Sequence, residues 1–240
     1  MKYEFDSPLL VGVIRSRPNR FIMEVEVEGR SIRCHCPSTG RIGGIVFRDV
    51  PCLLSKSESE KRKTSCTVEA ISLDPIEKKN RDWIGINQNA ANRYLEFFLM
   101  RGMLPRIARG DVRREVKLGN SRIDFRVGKT YIEVKTPLIM LPARRHLIYA
   151  RPHKFNSFER LIKHFSDLTE HLGETTRAIL LLCYLYEAEP FKPPPVDESN
   201  AKIIKAARTA SAKGLENWQV NLKIDKKGVS LARYFKLNLF

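Results

Sequence analysis

Long apolar runs are missing from this chain. Nowhere do its 240 residues approach the roughly 18 uninterrupted apolar positions of a membrane-spanning helix. The first residues, Met1 to Pro8, lack the basic and apolar pattern of a secretory signal. Cysteine is sparse: Cys34, Cys36, Cys52, Cys66 and Cys183 make an odd set with no export signal. That excludes a disulfide scaffold and predicts reduced thiols in a cytoplasmic protein. Cys34-His35-Cys36 lacks the second ligand pair of a structural zinc site, so it reads as a strand end. Internal repeats are absent, and the prolines of 190–195 are too few for a ligand motif.

Negative charge is also in short supply. Against 43 basic residues stand 27 acidic ones, a formal net charge of +16. Residues 1–80 hold 14 basic and 11 acidic residues, whereas 101–163 hold 16 and 5. A positive field concentrated in one segment favours a polyanionic partner, most simply nucleic acid, over a merely solubilising surface.

What is present divides the chain in two. Up to about residue 82, short alternating runs such as Phe21–Glu28, Ser31–Cys36, Val50–Lys56 and Thr64–Leu73 are separated by glycine- and proline-containing turns. Closely spaced short strands predict a small closed barrel over 1–82, with the OB-fold first and an SH3-like barrel second. From 83 to 240 helices and strands mix. Asn89–Met103 and Ser157–Leu172 carry helical spacing, Arg177–Tyr186 is a continuous apolar run, and Ser199–Ala212 is a basic helix. Val112–Leu118, Trp218–Ile224 and Val229–Leu239 read as strands. The expectation is an α/β domain with a mixed sheet.

The most informative stretch is the hairpin Arg122–Lys135. Ile123, Phe125 and Val127 alternate with Arg122, Asp124 and Arg126; Tyr131, Glu133 and Lys135 alternate with Ile132 and Val134. With Gly128-Lys129 as the loop, Val127 pairs with Thr130 and Asp124 falls opposite Glu133. Directly opposed carboxylates repel unless a proton or a cation intervenes. Two carboxylates with a neighbouring lysine suit Mg²⁺-dependent hydrolysis; a solvated face with cross-strand ion pairs is the plain alternative.

Several segments together resemble the sugar fermentation stimulation protein family. Arg17-Pro-Asn-Arg-Phe21 and His35-Cys-Pro-Ser-Thr-Gly40 resemble its N-terminal signatures, with Ser38 where Asn is usual. Lys61-Arg-Lys63 resembles a basic triplet, and Asn87 and Asn92-Arg93 resemble asparagines before the first helix. Glu115-Val-Lys-Leu-Gly119, Ser121-Arg-Ile-Asp-Phe125 and Tyr131-Ile-Glu-Val-Lys135 are similar to the core signature. The resemblance implies an N-terminal OB-fold, a C-terminal PD-(D/E)xK nuclease-like domain, DNA binding and a role in regulating sugar-utilisation genes. Sugar itself is not an implied ligand. Two departures stand out. The family's helix glutamate falls on Phe97, one residue and about 100° of helix from Glu96. The segment Arg151–Arg160 keeps little of the family's pattern after the lysine strand.

The expected function is therefore DNA binding with metal-dependent phosphodiester cleavage. Asp124, Glu133 and Lys135 are the expected catalytic residues. Asp124 and Glu133, with Glu115, are the expected ligands of Mg²⁺ or Mn²⁺. An ion pair of Glu115 with Arg113 or Arg122 is the alternative for that residue. Arg17, Arg20, Arg33, Arg41, Lys61, Arg62, Lys63, Arg93 and Arg122 are the expected nucleic-acid contacts. His146, His153 and His164 read as solvated, Tyr94, Phe97 and Phe98 as packing or base platforms. The competing expectation is a DNA-binding regulator whose nuclease fold has lost its chemistry; an RNA-binding OB module comes third.

Overall fold

The computed structural model describes the chain apart from residues 39, 58–61, 139–140, 143, 145, 150–157 and 174. The expected contact Lys61 and the histidine at 153 lie outside the described residues. In chain order the elements are β1 (Lys2–Glu4), β2 (Leu10–Asn19), β3 (Ile22–Val27), β4 (Arg30–His35), β5 (Val50–Lys56), β6 (Cys66–Ile71) and β7 (Ile84–Gly85). Then follow α1 (Gln88–Met100), β8 (Val112–Leu118), β9 (Ser121–Val127), β10 (Thr130–Lys135) and α2 (Glu159–Glu170). The chain ends with β11 (Arg177–Tyr184), α3 (Ala201–Ala212), β12 (Glu216–Asp225) and β13 (Gly228–Leu237).

Strands β2 to β6 form a closed OB-like barrel. β2 pairs antiparallel with β3 and β5, β3 with β4, and β5 with β6. A short parallel contact, Cys34↔Cys66 and His35↔Thr67, closes the ring. Ile14, Met23, Val25, Leu54 and Val68 fill it, together with cysteines. All five cysteines are free and buried. Burial pushes the Cys34 thiol up to about 12, so it behaves as a small apolar side chain. Among the barrel strands, the ten-residue β2 is the one that periodicity did not reveal. Beyond Ile14 it reads Arg-Ser-Arg-Pro-Asn, and its register with β3 shifts twice there, so the apolar alternation covers only its first half. Pro18 falls in a gap of that ladder, where no N–H is required.

The second sheet is mixed, in the order β1-β13-β12-β11-β10-β9-β8. Its centre is parallel: β10 to β11 and β11 to β12, with α2 and α3 as the two crossovers. β11 is buried on both faces, as its apolar run predicts. Ile179, Leu181 and Cys183 share one core with the α1 residues Tyr94, Leu95 and Phe98. Ala178, Leu180 and Leu182 share the other with Phe165 and Leu168 of α2. Phe98 and Tyr94 are thus core side chains, at 0% and 1% exposure. Phe97 is only partly buried, with the Arg101 guanidinium 3.9 Å from its ring centre.

The barrel and the second sheet interlock. β1, at the N-terminus, pairs with β13 at the far edge of the second sheet. β7 pairs with β6 in the barrel sheet, and the Gly85 N–H donates to Leu185 O at 2.9 Å. A Cβ at Gly85 would lie 2.5 Å from Leu185 Cβ, so only glycine lets these backbones meet. Immediately after, Asn87 caps α1 by accepting from the Ala90 N–H.

Candidate functional site

The hairpin turn forms as the spacing predicts. Gly128 adopts φ +57°, and the ladder runs Thr130↔Val127, Tyr131↔Arg126, Ile132↔Phe125. There it stops, one step before Asp124 and Glu133. The neighbouring ladder also lapses at this level: β8 and β9 pair at Arg114↔Phe125 and Val116↔Ile123, skipping Glu115 and Asp124. Glu115 carries a left-handed backbone, φ +53°, which costs a non-glycine residue of order 1 kcal/mol. The strand turns over here. Phe125 and Val127 pack into the α1 core, whereas Ile123 packs into the α2 core.

This opening corrects the expected geometry. Asp124 and Glu133 are not a cross-strand pair; each has its own partners. Asp124 Oδ2 accepts the Val134 N–H at 2.8 Å, so the carboxylate replaces the missing backbone partner. Its Oδ1 accepts from the Asn92 amide of α1, also at 2.8 Å. Glu133 is 2% exposed. Its Oε1 accepts from Lys135 Nζ at 2.6 Å and lies 2.6 Å from His164 Nδ1. Among the described residues its Oε2 is buried without a hydrogen-bond partner. A buried, unsatisfied carboxylate oxygen is costly and invites a cation.

These groups face a cleft of about 480 Å³. It is lined by Glu115, Arg122, Asp124, Glu133 and Lys135, with Phe158 and Arg160 at the start of α2. The three expected catalytic residues and the expected ligand Glu115 are therefore brought to one opening. Arg122 and Arg160 are exposed at its edge, each with a planar fork able to grip a phosphate. Among the described residues, however, no three His, Cys, Asp or Glu side chains converge closely enough to hold one metal ion. Asp124 and Glu133 thus stand as a pair, and Glu115 lines the cleft without completing a set of three. Glu96 is not part of the lining; it pairs with Arg114 Nη1 at 3.1 Å.

Two side chains escaped sequence reasoning. His164 is no solvated residue: it is 4% exposed and bonded to Glu133. Its place four residues from Leu168 and three from Leu161, on the apolar face of α2, was the available signal. Asn92 stands out in sequence only as part of the resemblance. Its role needs α1 to lie beside β9.

The expected nucleic-acid contacts scatter over the barrel, α1 and β9. Arg17 is tied to the backbone around it and after β4, donating to the carbonyls of Ser38, Arg20 and Gly40 at 2.7, 3.1 and 3.2 Å. Arg20, Arg33, Arg41, Lys63 and Arg122 are exposed. Arg62 is exposed and donates to Thr67 Oγ1. Arg93 sits over the rings of Tyr3 and Tyr94, at 5.7 and 5.6 Å. No helix among the described residues is long and apolar enough to cross a membrane.

Comparison with known proteins places this arrangement. Residues 16–86 match the SfsA N-terminal OB domain, and residues 89–228 match the sugar fermentation stimulation protein RE domain. A sugar fermentation stimulation protein homolog from Synechococcus sp. (strain JA-2-3B'a(2-13)) is 34% identical over 233 residues, covering 95% of this chain and 92% of that protein. A homolog from Teredinibacter turnerae is 28% identical over 234 residues, covering 95% and 96%. The structure of Pyrococcus furiosus SfsA in complex with Ca²⁺ shares the fold, with a TM-score of 0.74 at 19% identity, covering 100% of this chain and 99% of that one. The chain belongs to the sugar fermentation stimulation protein family.

Proposed function

We propose that this protein binds DNA and cleaves phosphodiester bonds with the help of a divalent cation, Mg²⁺ or Mn²⁺. The observation that carries the reading is Glu133 Oε2, buried and without a hydrogen-bond partner among the described residues, beside Asp124 in a cleft edged by arginines. Hard cations take carboxylate oxygens, and Ca²⁺ accompanies the Pyrococcus furiosus relative. Asp124 and Glu133 would hold the ion, which when bound stabilises negative charge building on the phosphate. Asn92 and His164 keep the two carboxylates in place. Water attacks phosphorus as the bond to the departing oxygen breaks; Lys135 Nζ, at the mouth, would orient that water and supply positive charge to the phosphate, the water's proton passing to solvent. Arg122 and Arg160 grip the backbone on either side.

One observation favours a non-cleaving DNA-binding regulator instead. Among the described residues no third metal-ligating side chain joins the pair. Plasmid and single-stranded DNA incubated with the full chain and Mg²⁺, Mn²⁺ or EDTA decide between the two. Cleavage with metal, absent with EDTA and in Asp124→Asn while DNA binding persists, supports the enzyme. Binding with no cleavage beyond the Asp124→Asn control supports the regulator. Duplex binding by either is expected to weaken with salt, by about 0.9 in log K per unit log salt for each phosphate contacted.

A further inference from the structure

A second, larger cavity of about 600 Å³ lies where the barrel meets α1 and the N-terminal strand. It is separate from the carboxylate cleft and shares no lining residue with it. Its size suits one small ligand unit. Three exposed cations surround it: Lys56 at the end of β5, Arg62 in the following loop, and Arg93 on α1. α1 begins at the cavity with no acidic residue of its own in the first turn, its cap Asn87 accepting the Ala90 N–H and donating to Glu69. His35 is pushed toward its neutral form by burial and then by the charge of Arg62.

The remaining wall is of a different kind. Tyr3 and Phe5 supply rings whose centres are 6.1 Å apart. Glu69, 6% exposed, is held rigidly: Oε1 accepts from Ser55 Oγ at 2.7 Å and Oε2 from Asn87 Nδ2 at 2.8 Å. Each oxygen keeps a lone pair for a further donor. Among the described residues the other acid in the lining is Asp6, exposed. Cations for a phosphate, rings for a flat heterocycle and a fixed acceptor for its amino or imino groups make one combined requirement.

We infer that this cavity holds a single unstacked nucleotide of a DNA strand, its phosphate toward Lys56, Arg62 and Arg93 and its base against Tyr3 and Phe5. The inference rests on the DNA-binding reading and deepens it. α1 connects the two sites: Asn89 lines the cavity, and Asn92, one turn along the same face, bonds Asp124. A strand anchored here therefore runs over α1 toward the carboxylates, and the anchored nucleotide selects which phosphodiester reaches them.

The test uses the full chain and fluorescence anisotropy. The probes are a labelled 12-nucleotide oligothymidylate, a strand of equal length with abasic sites, and thymidine monophosphate as competitor. The base-bearing strand is expected to bind about 10-fold or more tightly than the abasic strand. Arg62→Glu, at an exposed loop position, is expected to weaken both strands, because it replaces a shared phosphate contact with a like charge. Asn89→Asp is the control for folding: it favours the helix N-terminus while repelling phosphate, so it keeps the melting temperature and loses binding. Equal affinity for both strands, unchanged in these variants, overturns the cavity's role while the cleavage reading stands. Monophosphate binding that Arg62→Glu abolishes, without strand binding, assigns the cavity to a free nucleotide and overturns the strand reading. No binding of any probe overturns the cavity reading, and the plasmid assay then decides the cleavage reading by itself.

Discussion

Two glutamates in one sheet have opposite surroundings. Glu216 opens β12, at the amino end of the parallel strands, and is met from every side. Arg177 donates from Nε at 2.7 Å and Nη2 at 3.0 Å, Trp218 from Nε1 at 2.9 Å, and Lys236 Nζ lies at 3.2 Å. Burial opposes its ionisation, yet these donors outweigh burial and hold the carboxyl down to about 2. Glu133 sits near the carboxyl end of β10, is more deeply buried, and has one oxygen left over. One end of the sheet is closed by its own side chains and the other is left incomplete. Ligands of open α/β sheets enter beyond the carboxyl ends of the strands, where departing loops leave room. The incomplete glutamate is at that end.

The contrast can be broken most decisively by making the same substitution at both places. Glu133→Gln is expected to abolish cleavage and the rise in melting temperature that Mg²⁺ or Mn²⁺ brings. A metal contributes several kcal/mol to the transition state, so the rate should fall by about 100-fold or more. Glu216→Gln is expected to leave both unchanged. Identical metal responses in the two variants would remove any functional distinction between the two ends.

His164 sharpens the contrast next. His164→Ala should weaken metal affinity by about 10- to 100-fold in a calorimetric titration, because Glu133 loses a partner that orients it. A variant with another donor, His164→Gln, should recover part of that affinity. A merely structural histidine would cost stability in both variants without separating their metal affinities.

A smaller effect should appear in acid at the closed end. Glu216 has a folded value of about 2 against an ordinary 4.5. Its contribution is fully present above pH 4.5 and is lost as pH falls toward 2. Arg177 and Lys236 are 40% and 50% exposed, so solvent screening reduces the contribution to about 1–2 kcal/mol. Denaturant titrations of wild type and Glu216→Gln should differ by this amount at pH 7 and converge near pH 2. Curves that stay parallel throughout would mean that the ion pairs contribute nothing.

The smallest effect concerns Glu115. If its left-handed backbone is strained, Glu115→Gly should be more stable than Glu115→Ala by about 1 kcal/mol in urea unfolding. An alanine variant of equal or greater stability would show a relaxed backbone there.

Much of the arrangement follows from local residue order. Alternation placed the barrel strands β3 to β6, the hairpin and β8 within a residue or two, because a half-buried strand must alternate and a turn needs its glycine. The apolar run of β11 announced burial on both faces. The acidic hairpin with Lys135 marked the cleft. What local order could not express is where a regular pattern is interrupted. By its pattern β9 alternates unbroken from Arg122 to Val127, yet Ile123 and Phe125 enter different cores. That turnover depends on β8 and β10 both releasing Asp124 at the same level. Asn92 and His164 arrive from helices 32 and 31 residues away from the carboxylates they hold. Periodicity reports which face a residue takes within its own element. Only the packing of α1 and α2 on opposite faces of the sheet decided that their polar side chains meet at its opened end, leaving one carboxylate oxygen without a partner.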